Sequence, residues 1–282
     1  MSIRALDLVN LERYPIDDLQ SDLAKKVIEN CRSQLQKNGA CALPGFLKKS
    51  VMDSMVEESE KLASKSRRSL WFLNTYTNDD DTSLPENHPR RRWFPSSLCT
   101  VAYDQIPTED KIYILYNCNA LTEFIAAALG LEKIYRFADE FQALNVTYMG
   151  DGDQLSWHYD LNDFVVTLLL QEPLSGGEFE YAANLRNKDA GEENYDDVAK
   201  VYNGSSSHLQ IMKQQAGTLV LFQGINSLHR VRCTYGKKKR ITTILGYHKN
   251  PDYKATNEVN VYLYGPRVQK ILEERGVSFD KN

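Results

Sequence analysis

The sequence predicts an α+β protein, mainly β: a sandwich or jelly-roll core with helices packed outside, preceded by a mainly helical segment. Two observations predict it. Before residue 140 the apolar residues recur three or four apart, and from about residue 142 the period changes to two. The stretches with a period of two are short and bounded by Gly, Pro, Asn or Asp, the pattern of many short strands joined by turns.

From Ile16 onward Leu19, Leu23, Val27, Cys31 and Leu35 lie on one helical face; Asp17 and Asp18 suit a helix N-terminus, and Asn38-Gly39 supplies a stop. "ACALPGF" reads as a short strand ending in a Pro-Gly turn. A second helix is predicted from Lys48 to about Ser64, with Val51, Met55 and Leu62 inward. Residues 74–97 are polar and broken by prolines, which predicts a long loop, and loops of that length in compact domains tend to be functional. Residues 108–129 predict another helix, with Leu121, Phe124, Ile125 and Leu129 inward. Beyond 142, "ALNVTYMG", "DFVVTLLLQ", "GEFEYA", "GTLVLFQG", "HRVRCT", "RITTILGYH" and "VNVYLYG" are strand-like. The polar stretch 184–215 predicts a surface insert, a lid with one short helix near Tyr195 to Tyr202.

A chain of 282 residues suits one large domain or two small ones, and a core of this size needs no covalent staples. We read it as one domain over 1–282, with 1–140 as mainly helical support carrying a substrate loop and 141–265 as the jelly-roll core. The net charge of −4 argues against a nucleic-acid partner, despite the short basic runs Arg90-Arg91-Arg92 and Lys237-Lys238-Lys239-Arg240. Five widely spaced cysteines without a C-x-x-C pair predict reduced thiols in a cytoplasmic protein. No signal peptide and no apolar run long enough to span a bilayer is seen, so no membrane association is expected.

The chemistry concentrates in "QLSWHYDLNDFVVTLLLQ". A His-x-Asp or His-x-Glu triplet alone is weak: five histidines and 38 acids give roughly 0.7 by chance. Context strengthens it. His158 and Asp160 are two apart at the entry to a strand, so they share a face. His229 follows the strand "GTLVLFQG", and Arg240 opens the next strand with Thr242 on its own face. Such groups are costly in a core unless paired or bound to a metal. Two histidines and a carboxylate form the facial triad of non-haem Fe(II) oxygenases, leaving three positions for a chelating 2-oxo acid and O2. Arg240 with Thr242 suits the far carboxylate of 2-oxoglutarate. Asn145, facing the same way as Thr147, is a candidate for hydrogen bonding to the co-substrate. Trp157 and Tyr159 read as packing residues, and His88, His208 and His248 as solvated. Competing readings are hydrogen-bonded core histidines, a zinc hydrolase (which leaves Arg240 and Thr242 without a role) and a non-catalytic metal-binding jelly-roll module.

The pattern H-x-D, H, R-x-S/T, carried by His158, Asp160, His229, Arg240 and Thr242, resembles the Fe(II)/2-oxoglutarate-dependent oxygenases, whose fold is a double-stranded β-helix. Over residues 85–265 the sequence is similar to the group containing the free-amino-acid radical halogenases and their hydroxylase relatives. The resemblance implies Fe(II), 2-oxoglutarate and O2 as cofactor and co-substrates, iron held by His158, Asp160 and His229, 2-oxoglutarate anchored by Arg240, and release of succinate and CO2. It implies a small-molecule substrate, a free amino acid, with Arg90, Arg91 or Arg92 of "HPRRRWF" on its carboxylate. Asp139 and Glu140 are candidates for its ammonium. In the halogenases a small residue stands at the carboxylate position and leaves room for chloride. Asp160 fills that position, which implies hydroxylation; desaturation or oxidative cyclisation could follow the same C–H abstraction.

Overall fold

The computed structural model describes residues 3–77 and 80–279. In chain order they form α1 (Ala5–Leu8), α2 (Asp22–Asn38), β1 (Ala40–Leu43), α3 (Lys49–Leu62), β2 (Arg67–Asn74), β3 (Trp93–Val101), α4 (Lys111–Tyr116), α5 (Asn119–Leu129), β4 (Tyr135–Arg136), β5 (Leu144–Met149), β6 (Leu155–His158), β7 (Val165–Gln171), β8 (Ser175–Gly176), β9 (Phe179–Ala182), α6 (Tyr195–Tyr202), β10 (Leu209–Met212), β11 (Leu219–Phe222), β12 (Leu228–Val231), β13 (Thr234–Tyr235), β14 (Arg240–Leu245), β15 (Tyr247–His248), α7 (Asn257–Tyr264) and α8 (Pro266–Glu274).

A seven-stranded sheet in the order β1-β11-β7-β14-β5-β3-β2 faces a four-stranded sheet in the order β10-β9-β12-β6. The predicted jelly-roll class holds: an antiparallel core with helices outside. The outer face of the large sheet carries Leu144, Val146, Tyr148, Ile241 and Leu245, which join Leu35, Met55, Leu121 and Phe124 from the helices in the main apolar core. Each fully buried side chain of this kind stabilises the fold by roughly 1.5–3 kcal/mol. Between the sheets lie Ala40, Tyr181, Val220 and Phe222. Directly opposed residues of paired strands share a face, and Thr242 pairs with Thr147 and Arg240 with Met149. Arg240 and Thr242 of β14 therefore point away from the helical core, into the space between the sheets.

Several boundaries differ from the sequence reading. Helix α2 starts at Asp22 rather than Ile16, because the Ser21 hydroxyl accepts the Ala24 N–H at 3.2 Å and caps it. It ends as predicted, with Gly39 at φ +64°. The expected loop at 74–97 is shorter: Arg67–Asn74 and Trp93–Val101 form a hairpin on the edge of the large sheet. The first 140 residues are mainly helical as expected, but they also supply three of that sheet's strands, β1, β2 and β3. Pro95 is tolerated there because β3 pairs with β5 only through Cys99 to Val101. The helix expected over 108–129 is broken at Asn117 and Cys118. "VNVYLYG" is not a strand but lies in helix α7, capped by Thr256 and ended by Gly265. Its apparent alternation hid the spacing that matters, since the buried residues are Asn260 and Tyr264, four apart. Within the insert, α6 forms at the predicted place, and β10 adds a strand to the small sheet. All five cysteines are free. Among the described residues no helix is long and apolar enough to cross a membrane.

Candidate active site

His158 and His229 lie opposite each other on paired strands β6 and β12, with ring centroids 4.0 Å apart. The His-x-Asp triplet closes β6 rather than opening β7, and Asp160 sits in the turn just beyond. That turn is fixed by the Asp160 N–H, which donates to the Gly224 carbonyl at 3.1 Å. Asp160 Oδ1 is 3.7 Å from His158 Nε2 and 3.5 Å from His229 Nε2. The other ring nitrogens face backbone: His158 Nδ1 is 2.7 Å from the Ser156 carbonyl, and His229 Nδ1 is 2.9 Å from the Ser227 carbonyl. A carbonyl only accepts, so each ring keeps its proton on Nδ1 and turns an Nε2 lone pair toward Asp160. Burial, reinforced by the neighbouring His229, lowers the His158 pKa to about 4, so its imidazole is neutral near pH 7. Burial pushes the Asp160 carboxyl up, but the adjacent His229 and His158 outweigh it and hold the group below the ordinary carboxylate range.

Two neutral imidazole nitrogens and one ionised carboxylate, with ligand atoms all within 4.8 Å of one another, make a donor set suited to Fe(II). Gly224 is part of this site, and the sequence reading missed it. A Cβ at Gly224 would overlap the Asp160 carboxyl group. Its sequence signal, a glycine just after the apolar run "LVLF", suggests a turn and nothing more specific.

Arg240 is buried, and its guanidinium donates to the Thr242 hydroxyl and, at 2.9 Å, to Gln214 Oε1. Burial lowers its pKa to about 10, so the cation persists at neutral pH. It lines a cavity of about 510 Å³ together with Leu169, Phe179 and Met212. The Phe179 ring lies 5.6 Å from that of His229, which sets the cavity beside the triad. Gln214 comes from the insert, whose polar composition gave no hint of a role here. Asn145 shares the face of Thr147 as predicted, but its side chain is engaged within the protein. Its amide donates to the Phe141 and Leu144 carbonyls, each at 2.9 Å, and its Oδ1 accepts the Tyr264 hydroxyl at 2.8 Å.

A second cavity, about 420 Å³, opens on Asp160 itself. Of the three consecutive arginines only Arg90 lines it. Arg91 instead bonds Asp80 and the Leu84 carbonyl, while Arg92 stacks on Phe94 and Tyr202. Tyr76, Tyr159, Arg186 and Glu193 complete much of the wall. Tyr159 is therefore more than a packing residue, whereas Trp157 is buried under Arg230, 4.4 Å from its ring. His88 is not simply solvated: its Nδ1 accepts the Arg90 N–H at 3.2 Å, and its ring lies against Tyr195.

The structure does not bring Asp139 or Glu140 to this cavity. Asp139 is buried and accepts from the backbone N–H groups of Phe141, Gln142 and Ala255 and from Asn260 Nδ2, a structural role that ties α7 down. Glu140 is exposed and paired with Arg275. A larger cleft of about 740 Å³, between α2 and α5, contains none of the candidate residues of the iron, co-substrate or substrate sites.

The sequence matches the Halogenase D family over residues 23–264. No curated protein matches it. Among solved structures it is similar to SnoK, a non-haem α-ketoglutarate-dependent carbocyclase from nogalamycin biosynthesis, with a TM-score of 0.55 and 14% identity over 89% of this chain and 91% of that one. It is similar to SnoN, the epimerase of the same biosynthesis, with a TM-score of 0.53 and 13% identity over 79% and 83% of the two chains. An oxidoreductase of the 2OG-Fe(II) oxygenase family from Burkholderia pseudomallei gives a TM-score of 0.50 and 14% identity over 81% and 94%. At these identities the likeness establishes a shared fold, while the match covering most of the chain establishes descent: the protein belongs to the Halogenase D family and is built on the fold of the Fe(II)/2-oxoglutarate oxygenases.

Proposed function

We propose that the whole chain acts as one Fe(II)- and 2-oxoglutarate-dependent oxygenase that hydroxylates an unactivated C–H bond of a free amino acid. The observation that carries this is the carboxylate of Asp160 facing two Nε2-presenting histidines, next to one cavity with a buried arginine and another with Arg90. Bound together, Fe(II), 2-oxoglutarate and O2 supply an oxidative decarboxylation that places one oxygen atom in succinate, releases CO2, and leaves the other oxygen atom for insertion into a C–H bond.

The protein's own groups do the rest. His158, His229 and Asp160 hold the metal, and the Ser156 and Ser227 carbonyls keep both rings in the ligating tautomer. Arg240, steadied by Gln214 and Thr242, binds the distal carboxylate of 2-oxoglutarate. Asn145 acts at second hand, by fixing β5 and α7 beside that face. Phe179 and Phe222 crowd His229, with ring centroids 5.6 and 4.7 Å away, and keep water from that side of the metal. Arg90 receives the carboxylate of the amino acid. Asp160 would decide the outcome: with its carboxylate holding the metal, no position would be left for a halide, which favours hydroxylation.

The test is a panel of the twenty amino acids assayed for stimulated succinate formation with Fe(II), 2-oxoglutarate and O2. At least one amino acid should raise succinate release well above the substrate-free rate and gain one oxygen atom. Uniform failure to stimulate, with iron bound, would rule out the amino-acid assignment.

A further inference from the structure

The cavity that opens on Asp160 has a marked imbalance of charge. Its walls carry three cations, Arg90, Arg186 and Lys188, and two acids, Asp160 and Glu193. Asp160 is committed to the metal. Glu193 is engaged by Arg186 at 3.4 Å. Arg186 is itself fixed in place: its Nε donates to the Ile225 carbonyl at 2.7 Å, and its guanidinium lies 3.8 Å from the centre of the Tyr159 ring. Arg90 lies 3.7 Å from Asp81 at the rim, through one nitrogen only, and Lys188 has no acidic partner among the described residues, so the wall keeps an excess of positive charge for whatever binds.

The unsatisfied polar groups point the same way. The hydroxyls of Tyr76 and Tyr159 and the Nε of Arg90 are buried without a hydrogen-bond partner among the described residues. Tyr76 is 9% exposed and Tyr159 4%, so neither ring can turn freely to water. Buried polar groups left unpaired cost about 1–3 kcal/mol each, so a site that keeps them is built to have them paired by a ligand. A phenol carries its proton at neutral pH, so both hydroxyls are able to donate. Donors and cations together describe a receptor for oxyanions.

Resting on the amino-acid reading above, we infer that this cavity selects an acidic amino acid, whose second carboxylate meets Arg186, Lys188 and the tyrosine hydroxyls while Arg90 takes the first. The substrate ammonium is left to Glu193, whose carboxylate it shares with Arg186. A basic side chain would place its own cation among Arg186 and Lys188 and would be repelled. The polar insert at 184–215 gains a purpose on this account. It carries Arg186, Lys188 and Glu193 and so sets the charge of the substrate.

The experiment is equilibrium binding by calorimetry, without O2, to the protein loaded with Fe(II) and 2-oxoglutarate. Aspartate is compared with asparagine and glutamate with glutamine, so that charge changes at nearly constant shape, and lysine serves as the cationic competitor. The acidic member of at least one pair should bind on the order of tenfold more tightly than its amide, and lysine should bind weakest. Lys188→Gln, an exposed position safe for folding, should cut that ratio several-fold, and Arg186→Gln should bring it close to one. If an amide or lysine binds as tightly as the acids, the inference fails while the amino-acid reading stands. If none of the five binds, the inference fails, and the amino-acid reading is decided separately by the succinate panel of all twenty. An unchanged ratio in both variants also overturns it, because the preference would then arise elsewhere.

Discussion

Gly224 and Asp160 show how tightly the metal site is drawn at the level of single residues. The Gly224 carbonyl holds the Asp160 N–H, and the missing side chain leaves space for the Asp160 carboxyl group. Gly224→Ala should therefore keep the fold but displace the carboxylate, with iron affinity falling at least tenfold when titrated with Fe(II) under nitrogen. Iron binding equal to the native protein would mean that Asp160 is free to move. Arg240 gives a separable prediction. Arg240→Ala removes a buried charged hydrogen bond typically worth about 2–5 kcal/mol, so the KM for 2-oxoglutarate should rise by roughly two orders of magnitude while iron content stays unchanged. An unchanged KM would show that Arg240 does not bind the 2-oxoglutarate carboxylate. These principal residues were legible in the sequence because chemistry restricts them: few side chains ligate iron, and fewer bind a carboxylate bidentately. Gly224 and Gln214 were not legible, because their roles depend on which neighbour the fold brings against them.

The elements show where periodicity informs and where it misleads. Strands β5, β7, β11 and β14 were readable because each is an apolar run bounded by turn residues. The hairpin of β2 and β3 was not, since it lies on the sheet edge with one face open and carries polar residues and a proline. It is held instead by charge. Arg68 of β2 reaches Asp153 at 2.7 and 3.1 Å, Ser97 of β3 donates to the same carboxylate at 2.6 Å, and the Gly150 N–H adds a fourth bond. Burial raises the Asp153 pKa, but these donors outweigh it and hold the carboxyl below its ordinary value. A depressed folded-state pKa stabilises above the unfolded value near 3.8 and is lost as pH falls through the folded value. Asp153→Asn should cost about 1–3 kcal/mol at pH 7 by denaturant unfolding, with the deficit shrinking below pH 3.8. A deficit that does not change with pH would show that shape, not charge, ties the hairpin to the sheet. Helix α7 was misread for the opposite reason: its valines and leucines alternate by accident, while its buried anchors, Asn260 and Tyr264, are polar at the tip and tie to Asp139 and Asn145.

Across the whole molecule, two sheets enclose a face that changes character along its length. Near β1 and β11 it is apolar, with Ala40, Val220 and Phe222; toward the ends of β6, β12 and β14 it carries the triad and Arg240. The insert spans both cavities, giving Gln214 to one and Arg186 and Glu193 to the other. On the proposed reading, this division would put co-substrate and substrate in different cavities, with Asp160 lining the second. The proposed reading makes the Asp160 carboxylate decide between a halogen and an oxygen transfer. Asp160→Gly should abolish most hydroxylation and let chloride shift the absorption band of the Fe(II)–2-oxoglutarate complex, because it removes one ligand and one negative charge together. The most direct test is the mass spectrum of the product formed by the native protein in high chloride, using the amino acid that best stimulates succinate release. The account predicts a product heavier by one oxygen atom and no chlorine isotope pattern. A chlorinated product would contradict it and show that Asp160 does not hold the metal during turnover.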